Sequence, residues 1–130
     1  MNQEKLMEFQ MMEQQLQQLN QNLQNLEAQR SDLMINMDNL DKFKEIKVGN
    51  KILFPVANGI FAEAELKNNS SFRVNVGNGV VVGKTVDEAK TLIEEQVSEI
   101  NKYLDETVNY QQQIYQRMHE LEQDLKKEQE

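Results

Sequence analysis

Cysteine and tryptophan are absent from this 130-residue sequence, and proline and histidine each occur once. Without cysteine the chain has no disulfide framework, thiolate metal site or cysteine nucleophile, which fits a reducing compartment. Only 38% of the residues are hydrophobic, too few for an ordinary globular core. Apolar runs such as Ile52 to Phe54 are far shorter than the roughly 18 residues of a membrane span. The first residues also lack the apolar stretch of a signal peptide, so we expect a cytoplasmic protein that does not enter a membrane.

Acidic residues dominate the charge. There are 14 Lys and Arg against 22 Asp and Glu, which gives a net charge of −8 at pH 7. A phosphate backbone requires a basic surface, so nucleic acid is not expected as a partner.

Residues 1–45 are predicted to form one long helix. Glycine and proline are absent from this stretch, and apolar residues recur at alternating spacings of three and four, with Arg30 as the one polar member. We call these positions, together with those in the last third of the chain, the seam. The first series is Phe9, Met12, Leu16, Leu19, Leu23, Leu26, Arg30, Leu33, Met37 and Leu40. A repeat of 3.5 residues sustained over several heptads predicts a helix that packs along a partner helix as a coiled coil.

Residues 85–130 are predicted to form the second helix. Thr85 and Glu88 have the spacing of a capping box, which predicts a helix that begins at about Val86. Thr107 and Gln111 are the weak members of its series. That series is Ile93, Val97, Ile100, Leu104, Thr107, Gln111, Ile114, Met118, Leu121 and Leu125.

Residues 46–84 hold all five glycines and the only proline, and they predict a β insert. Asn58-Gly59 and Asn78-Gly79 each lie between β-branched or aromatic runs, which is typical of hairpin turns. An isolated two-stranded hairpin is marginal in water, so both hairpins must pack on something.

If the chain turns back on itself, the two seams face each other. They match when the residue numbers of each facing pair add to 130. Phe9 then faces Leu121, Met12 faces Met118 and Leu16 faces Ile114. A slip of one heptad fits the pattern equally well, and the length of the β insert favours this register. The predicted fold is α+β, a single domain made of a long antiparallel helical hairpin with two β-hairpins inserted at its closed end.

Candidate chemical sites are few. Residues 78–85 differ by one residue from the phosphate-binding pattern G-x-x-x-x-G-K-[ST], but three consecutive valines favour a strand. His119 lacks a second ligand at metal-site spacing, and adjacent acidic residues on a helix point about 100° apart. We therefore expect no enzyme activity, no metal and no cofactor.

Several residues lie outside the seam pattern or depart from it. Arg30 either marks the register or extends past Ile100 toward Glu99, and we favour the second interpretation because long basic side chains cover apolar layers while staying hydrated. Met34 and Ile35 fall at outward positions and are expected to be buried against the β insert.

The sequence resembles the α class of the prefoldin family. Asn50 to Val56 is similar to that family's first strand with its hydrophobic-Pro end, and Val74 to Thr85 is similar to the segment V-D-V-G-x-G-Y-Y-V-E-K-T that leads into its second helix. Val80 and Val81 replace the aromatic pair, and Gly83 replaces the glutamate. The two predicted hairpins also agree with the α class, since the β class has one.

The resemblance implies an ATP-independent chaperone subunit in a hexamer of two α and four β subunits, which holds non-native proteins at its coiled-coil tips and delivers them to a group II chaperonin. Outward Met side chains at the open end fit an adaptable client surface. The predicted client-binding residues are Leu6, Met7, Phe9, Met11, Met12, Leu16, Ile114, Tyr115, Met118, Leu121 and Leu125. The predicted oligomer interface comprises Ile52, Phe54, Ile60, Leu66, Phe72, Val74, Val76, Val80 and Val82. The alternative is a structural or scaffolding coiled coil that assembles through its hairpins.

Overall fold

The computed structural model describes residues Gln3–Gln129 and consists of two long helices with four strands between them. The elements in chain order are α1 (Gln3–Lys44), β1 (Lys51–Ala57), β2 (Ile60–Glu65), β3 (Ser71–Gly77), β4 (Val80–Thr85) and α2 (Val86–Gln129). This confirms the predicted fold class and the predicted start of the second helix. Neither described helix has an apolar stretch long enough to cross a membrane.

The chain divides into two compact units. The first unit combines Met1–Ser31 with Ser98–Glu130, so its described part consists of the beginning of α1 and the end of α2. The second unit is Asp32–Val97 and holds the end of α1, all four strands and the beginning of α2.

In the first unit the helices are antiparallel and in the predicted register. The side-chain amide of Gln111 donates a hydrogen bond to Asn20 Oδ1 at 2.6 Å, and Arg30 Nη1 donates to Asn101 Oδ1 at 2.9 Å. The residue numbers of both pairs add to 131. A slip of one heptad would change that total by about seven, so these contacts exclude it.

The seam forms the core of the first unit. Its most buried members are Leu16, Ile100, Leu104, Ile114 and Leu121, none of which is more than 9% exposed. The other seam residues of this unit are half-buried. Leu121 is fully buried at 0% exposure, so the packing extends close to the described end of α2.

In the second unit the same register holds between the two helices. Lys90 Nζ donates to the two carboxylate oxygens of Asp41 at 3.1 and 3.2 Å, and Lys44 Nζ donates to Asp87 Oδ1 at 3.3 Å. Both pairs again have residue numbers that add to 131.

The four strands form two separate antiparallel hairpins, β1 with β2 and β3 with β4. Adding 20 to the residue numbers of the first hairpin gives the strand pairing of the second. Lys51↔Glu65 corresponds to Ser71↔Thr85, and Ala57↔Ile60 corresponds to Gly77↔Val80. Each hairpin also has an irregularity one residue before its last paired position. The β insert is therefore an internal structural repeat.

The two turns differ in backbone conformation. Asn78 and Gly79 both have positive φ, at 52° and 74°, as the tight hairpin turn of type I′ requires. In the first turn Gly59 has a φ of 77°, whereas Asn58 is not in the positive region. Both Asn-Gly pairs thus lie in hairpin turns as predicted, with positive φ at both residues of the second turn and at the glycine alone in the first.

Specific contacts attach the second hairpin to the helices. The rings of Phe43 and Phe72 lie 5.3 Å apart at a tilt of 58°, and the side-chain amide of Asn69 donates to the backbone carbonyls of Lys44 and Ile46. At the start of α2 the Thr85 amide donates to Glu88 Oε1 at 3.2 Å, and the Glu88 amide donates to Thr85 Oγ1 at 3.1 Å. This confirms the predicted capping box.

Two expectations about single side chains are wrong. Met34 and Ile35 are 53% and 55% exposed rather than buried against the β insert, because the hairpin contacts α1 through Phe43, about two turns further along the helix. Arg30 reaches Asn101 rather than Glu99. The register explains this, since Asn101 lies directly across from Arg30.

Candidate functional site

The first candidate surface lies at the ends of the helices in the first unit, which we call the tip and define as residues 3–16 and 114–128. Met7, Met11 and Tyr115 are its exposed apolar side chains, at 62%, 59% and 54% exposure. Met7 and Met11 are four residues apart, so they neighbour each other on one face of α1. They form a small, exposed thioether surface.

The eleven predicted client-binding residues fall into three groups in the structure. Met7, Met11 and Tyr115 are exposed, while Leu16, Ile114 and Leu121 are buried in the core of the first unit. The half-buried members are Leu6, Phe9, Met12, Met118 and Leu125. A client can reach the exposed group directly, whereas the buried group becomes available only when the two helices separate.

Ion pairs join the two helices at the tip, and the sequence analysis did not predict them. Arg117 Nε donates to Glu8 Oε1 at 3.0 Å, and Arg117 Nη2 donates to Glu8 Oε2 at 3.2 Å. This hydrogen-bonded guanidinium lowers the pKa of Glu8, and Glu8 in turn raises the pKa of Arg117. Lys5 Nζ lies 3.4 Å from Asp124 Oδ2. The side chains of these ion pairs are 31 to 43% exposed, so water and salt screen the pairs and each contributes little stability.

The packing at the tip continues beyond Phe9 and Leu121. Leu6 and Leu125 are half-buried, and Lys5 crosses to Asp124 beyond them. The residue numbers of Glu8 and Arg117 add to 125, six below the total of 131 for the other cross-helix pairs, so the register alone does not predict this ion pair. Long side chains reach across a turn on either side of the direct partner, so several pairings were possible from sequence alone.

A polar interruption lies in the middle of the first unit. Gln111 is bonded to Asn20, and Thr107 Oγ1 donates back to the Tyr103 carbonyl at 2.8 Å. A cavity of about 380 Å³ lies beside Leu26 here, and Asn22, Asn25, Gln29, Tyr103 and Thr107 complete its lining. Amides and hydroxyls thus lie beside the seam leucines over about two turns.

The second candidate surface is formed by the hairpins. Of the predicted interface residues, Phe54, Ile60, Val76 and Val80 are between 50% and 60% exposed. The half-buried ones are Ile52, Phe72, Val74 and Val82. Leu66 is only 7% exposed and belongs to the core of its own unit, so its side chain is not available to a neighbour.

Four further exposed residues on the hairpins were missed. Leu53, Val56, Phe61 and Val81 are between 53% and 65% exposed. The missed signal is the run of consecutive apolar residues, because a strand that reads apolar on both faces is typical of burial on both faces. The predicted interface residues occupy alternate positions along the strands, and Leu53, Phe61 and Val81 fall between them.

An apolar groove of about 620 Å³ lies between β3 and the helices of the second unit. Val74, Val76, Leu92 and Ile93 line it, together with Leu40, Phe72, Arg73, Asn75, Ala89 and Gln96. The half-buried state of Val74 follows from this position. The groove is continuous with the exposed end of the second hairpin at Val76.

The structure also locates the remaining candidate motifs. Residues 78–85 are the second turn and strand β4, and the Thr85 hydroxyl caps α2, as the strand interpretation predicts. Among the described residues no three His, Cys, Asp or Glu side chains are grouped so that they could hold a metal ion.

Comparison with known proteins agrees with this architecture. Residues 12–130 match the family model for prefoldin subunits. The chain is 25% identical to prefoldin subunit alpha of Archaeoglobus fulgidus over 123 residues, which covers 95% of this chain and 90% of that one. It is 37% identical over 60 residues to prefoldin subunit alpha of Methanobrevibacter smithii, covering 46% of this chain and 41% of the relative.

A solved structure with the same fold is the cryo-EM structure of filamentous PFD from Methanocaldococcus jannaschii. The TM-score is 0.77 at 18% identity, and the match covers 88% of this chain and 94% of that one. The match along nearly the whole sequence, the alpha-type relatives and the two hairpins between long helices lead to one conclusion. The chain belongs to the prefoldin family of chaperone subunits, and it is of the α type.

Proposed function

We propose that this chain is a holdase subunit that binds non-native proteins at its tip without ATP and delivers them to a group II chaperonin. It does so in the cytoplasm, within a hexamer of two copies of this chain and four β-class subunits joined through the hairpins. The observation that carries the proposal is that each of the two units has an exposed apolar surface of its own. Met7, Met11 and Tyr115 lie in one unit, and the hairpin residues lie in the other.

The chemistry of the tip suits unrelated clients. Unbranched thioethers repack around partners of different shape, which favours broad over narrow recognition. Each partly buried Met contributes about 1 to 2 kcal/mol at most, so one tip holds a client weakly. Several tips in one complex act together through effective concentration.

Opening of the tip adds a second source of binding surface. Leu16, Ile114 and Leu121 are buried in the closed form, and the fastening ion pairs around Arg117 are exposed to solvent. Helix ends also fray more readily than helix interiors. A client that separates the helix ends gains the apolar seam side chains.

The first experiment separates the exposed surface from the seam. The triple variant Met7→Gln, Met11→Gln, Tyr115→Gln replaces the exposed side chains with polar residues. Its matched control is Met34→Gln, because Met34 is similarly exposed, at 53%, and lies in the other unit. We expect the reconstituted complex with the triple variant to suppress the aggregation of several unrelated denatured proteins less well than wild type, and the control to match wild type. Equal protection by wild type, the triple variant and Met34→Gln would refute binding at the exposed tip surface.

The second experiment tests opening. The chain has no natural cysteine, so the pair Met12→Cys, Met118→Cys can be oxidised to lock the seam and reduced to release it. We expect the oxidised complex to protect clients less well than the same complex after reduction. Equal protection in both states would show that the seam residues take no part in binding.

A scaffold is the second candidate function, and the repeated hairpins favour it. Two exposed apolar hairpins in identical register give one chain two similar places for assembly. A scaffold requires defined partners, whereas a holdase protects unrelated clients. Retention of full assembly together with failure to protect any denatured protein would favour the scaffold.

A further inference from the structure

Methionine sulfur atoms are concentrated at the tip, where the described residues include Met7, Met11, Met12 and Met118. Met7 and Met11 are 62% and 59% exposed, whereas Met12 and Met118 are half-buried in the seam. Among the described residues of α1 in the first unit, Met7 and Met11 are the exposed large apolar side chains. The apolar surface that a client can reach directly on this helix therefore depends on two accessible sulfur atoms.

These two thioethers are open to oxidation by peroxide. The sequence contains no cysteine, so no thiolate of this chain competes for the oxidant. In the reaction the sulfur attacks one oxygen of hydrogen peroxide, the O–O bond breaks and an S–O bond forms. The sulfur loses two electrons, and the second oxygen takes up the proton of the first and leaves as water. Because the peroxide must reach the sulfur, Met7 and Met11 should react before Met12 and Met118.

Oxidation changes the polarity of the exposed surface. A sulfoxide is polar, and its oxygen is an acceptor that costs free energy when a client buries it without a donor. Met7 and Met11 are four residues apart and share one face of α1, so both sulfoxides fall in the same patch. Gln14 and Gln15, one turn beyond Met11, are exposed. The oxidised patch therefore becomes part of a continuous polar surface.

The pairing of the helices does not depend on these two sulfur atoms. Met7 and Met11 lie outside the seam, and the buried core of the tip is formed by Leu16, Ile114 and Leu121. Conversion of two exposed side chains removes little packing from this core. We therefore expect the oxidised tip to keep its helices and its closed form, so that reduction of the sulfoxides restores the original surface.

We propose that Met7 and Met11 form a reversible oxidation site that switches off direct client binding at the tip. Hydrogen peroxide converts both thioethers to sulfoxides, and a thiol-dependent methionine sulfoxide reductase converts them back. In that second step two thiols are oxidised to a disulfide and the sulfoxide oxygen leaves as water. The inference names a regulation of the proposed client surface and rests on the proposed function.

The first measurement is the rate of oxidation at each methionine. The isolated chain is treated with hydrogen peroxide over a time course, and peptide mass spectrometry gives the oxidised fraction at each site. We expect Met7 and Met11 to react about threefold or more faster than Met12 and Met118. Helical content, followed by circular dichroism, should stay unchanged while Met7 and Met11 are oxidised. Equal rates at all four sites, or loss of helix as Met7 and Met11 react, would overturn the inference.

The second measurement separates oxidation from the loss of apolar surface. Met7→Leu combined with Met11→Leu keeps apolar side chains that peroxide does not oxidise, and Met34→Leu is the matched control, since Met34 is 53% exposed and lies in the other unit. Each chain is oxidised alone, freed of peroxide with catalase, and combined with untreated partner subunits and denatured clients.

Oxidation of wild type and of Met34→Leu should raise the concentration of complex needed for half-maximal client protection about threefold or more. It should leave the double leucine variant unchanged. Treatment of oxidised wild type with a methionine sulfoxide reductase and dithiothreitol should restore protection.

The outcomes separate this inference from the function on which it rests. A double leucine variant that loses as much protection on oxidation as wild type would overturn the inference and leave client binding at the tip in place. Undiminished protection by wild type that carries sulfoxides at Met7 and Met11 would do the same. A reduced complex that protects no client would instead refute the proposed function, and the inference would fall with it.

Discussion

Leu121 offers the sharpest test of whether the tip is closed at rest. Its side chain is 0% exposed, although it lies only nine residues from the end of the chain. Truncation of a fully buried leucine to alanine typically costs about 2 to 5 kcal/mol, because it loses transfer free energy and leaves a cavity. Because the tip is narrow and can partly collapse around the space, we expect the lower half of that range, about 2 to 3 kcal/mol.

Leu125→Ala is the matched control, since Leu125 is one turn further on and only half-buried. We expect its cost to be about 1 kcal/mol, in proportion to the smaller area removed from water. For a chain of this length each kcal/mol changes Tm by roughly 3 to 5 °C, so the two variants should differ by several degrees. Thermal unfolding followed at 222 nm, with protomer concentration held constant, measures the difference.

The reasoning fails if Leu121→Ala and Leu125→Ala destabilise equally and by less than 1 kcal/mol. That result would mean that the helix ends are already separate in solution. The seam side chains of the tip would then be permanently available to clients, and the disulfide lock between residues 12 and 118 would remove a surface that clients reach without opening the helices.

Three further predictions concern the register, the cap and pH. Cysteines at positions 16 and 114 should crosslink efficiently within one chain, whereas pairs of 16 with 107 or with 121 should not, as mass spectrometry after oxidation would show; preference for either slipped pair would contradict the register. Thr85→Ala should lower the free energy of unfolding, measured by urea denaturation, by about 1 kcal/mol because the N-cap is lost, and Thr85→Ser should not. Equal stability of the two variants would contradict the capping role. Hydrogen bonds with the backbone and side chain of Thr85 lower the pKa of Glu88 from its ordinary 4.5. The stability that ionised Glu88 contributes is therefore complete above about pH 4.5 and is lost as the pH falls through the lower pKa of the folded state. Glu88→Gln should reduce the loss of stability on acidification, and an unchanged acid profile would contradict it.

The helices, their register and the hairpin positions could be predicted from the sequence because each rests on a local or periodic signal. The heptad spacing selects the buried face, and every seam residue is buried or half-buried. The capping box at Thr85 and the Asn-Gly turns at residues 58 and 78 depend on a few adjacent residues. Such signals need no knowledge of distant contacts.

The errors lie where the reach of a side chain, or its position off the periodic pattern, decides the outcome. Arg30 has several possible partners within the length of its side chain, and only the three-dimensional register selects Asn101. Met34 and Ile35 could not be placed from periodicity alone, since an outward apolar residue reads the same whether a hairpin covers it or not. Leu53 and Phe61, which are exposed, were missed because each lies next to a predicted interface residue along its strand and so falls on the opposite face of the hairpin.

The antiparallel register has a consequence for the chain during its synthesis. The cross-helix pair Lys44 and Asp87 is separated by 43 residues, and the pair Glu8 and Arg117 by 109. Closing the longer loop first costs about 0.8 kcal/mol more entropy than closing the shorter one, so the helices pair from the strands outward. The amino-terminal half of the tip leaves the ribosome well before the segment that covers it, since Glu8 and Arg117 are 109 residues apart. Until residues 114–128 emerge, the Met- and Leu-bearing seam of α1 has no cover within its own chain, and it is itself a non-native apolar surface of the kind that chaperones bind.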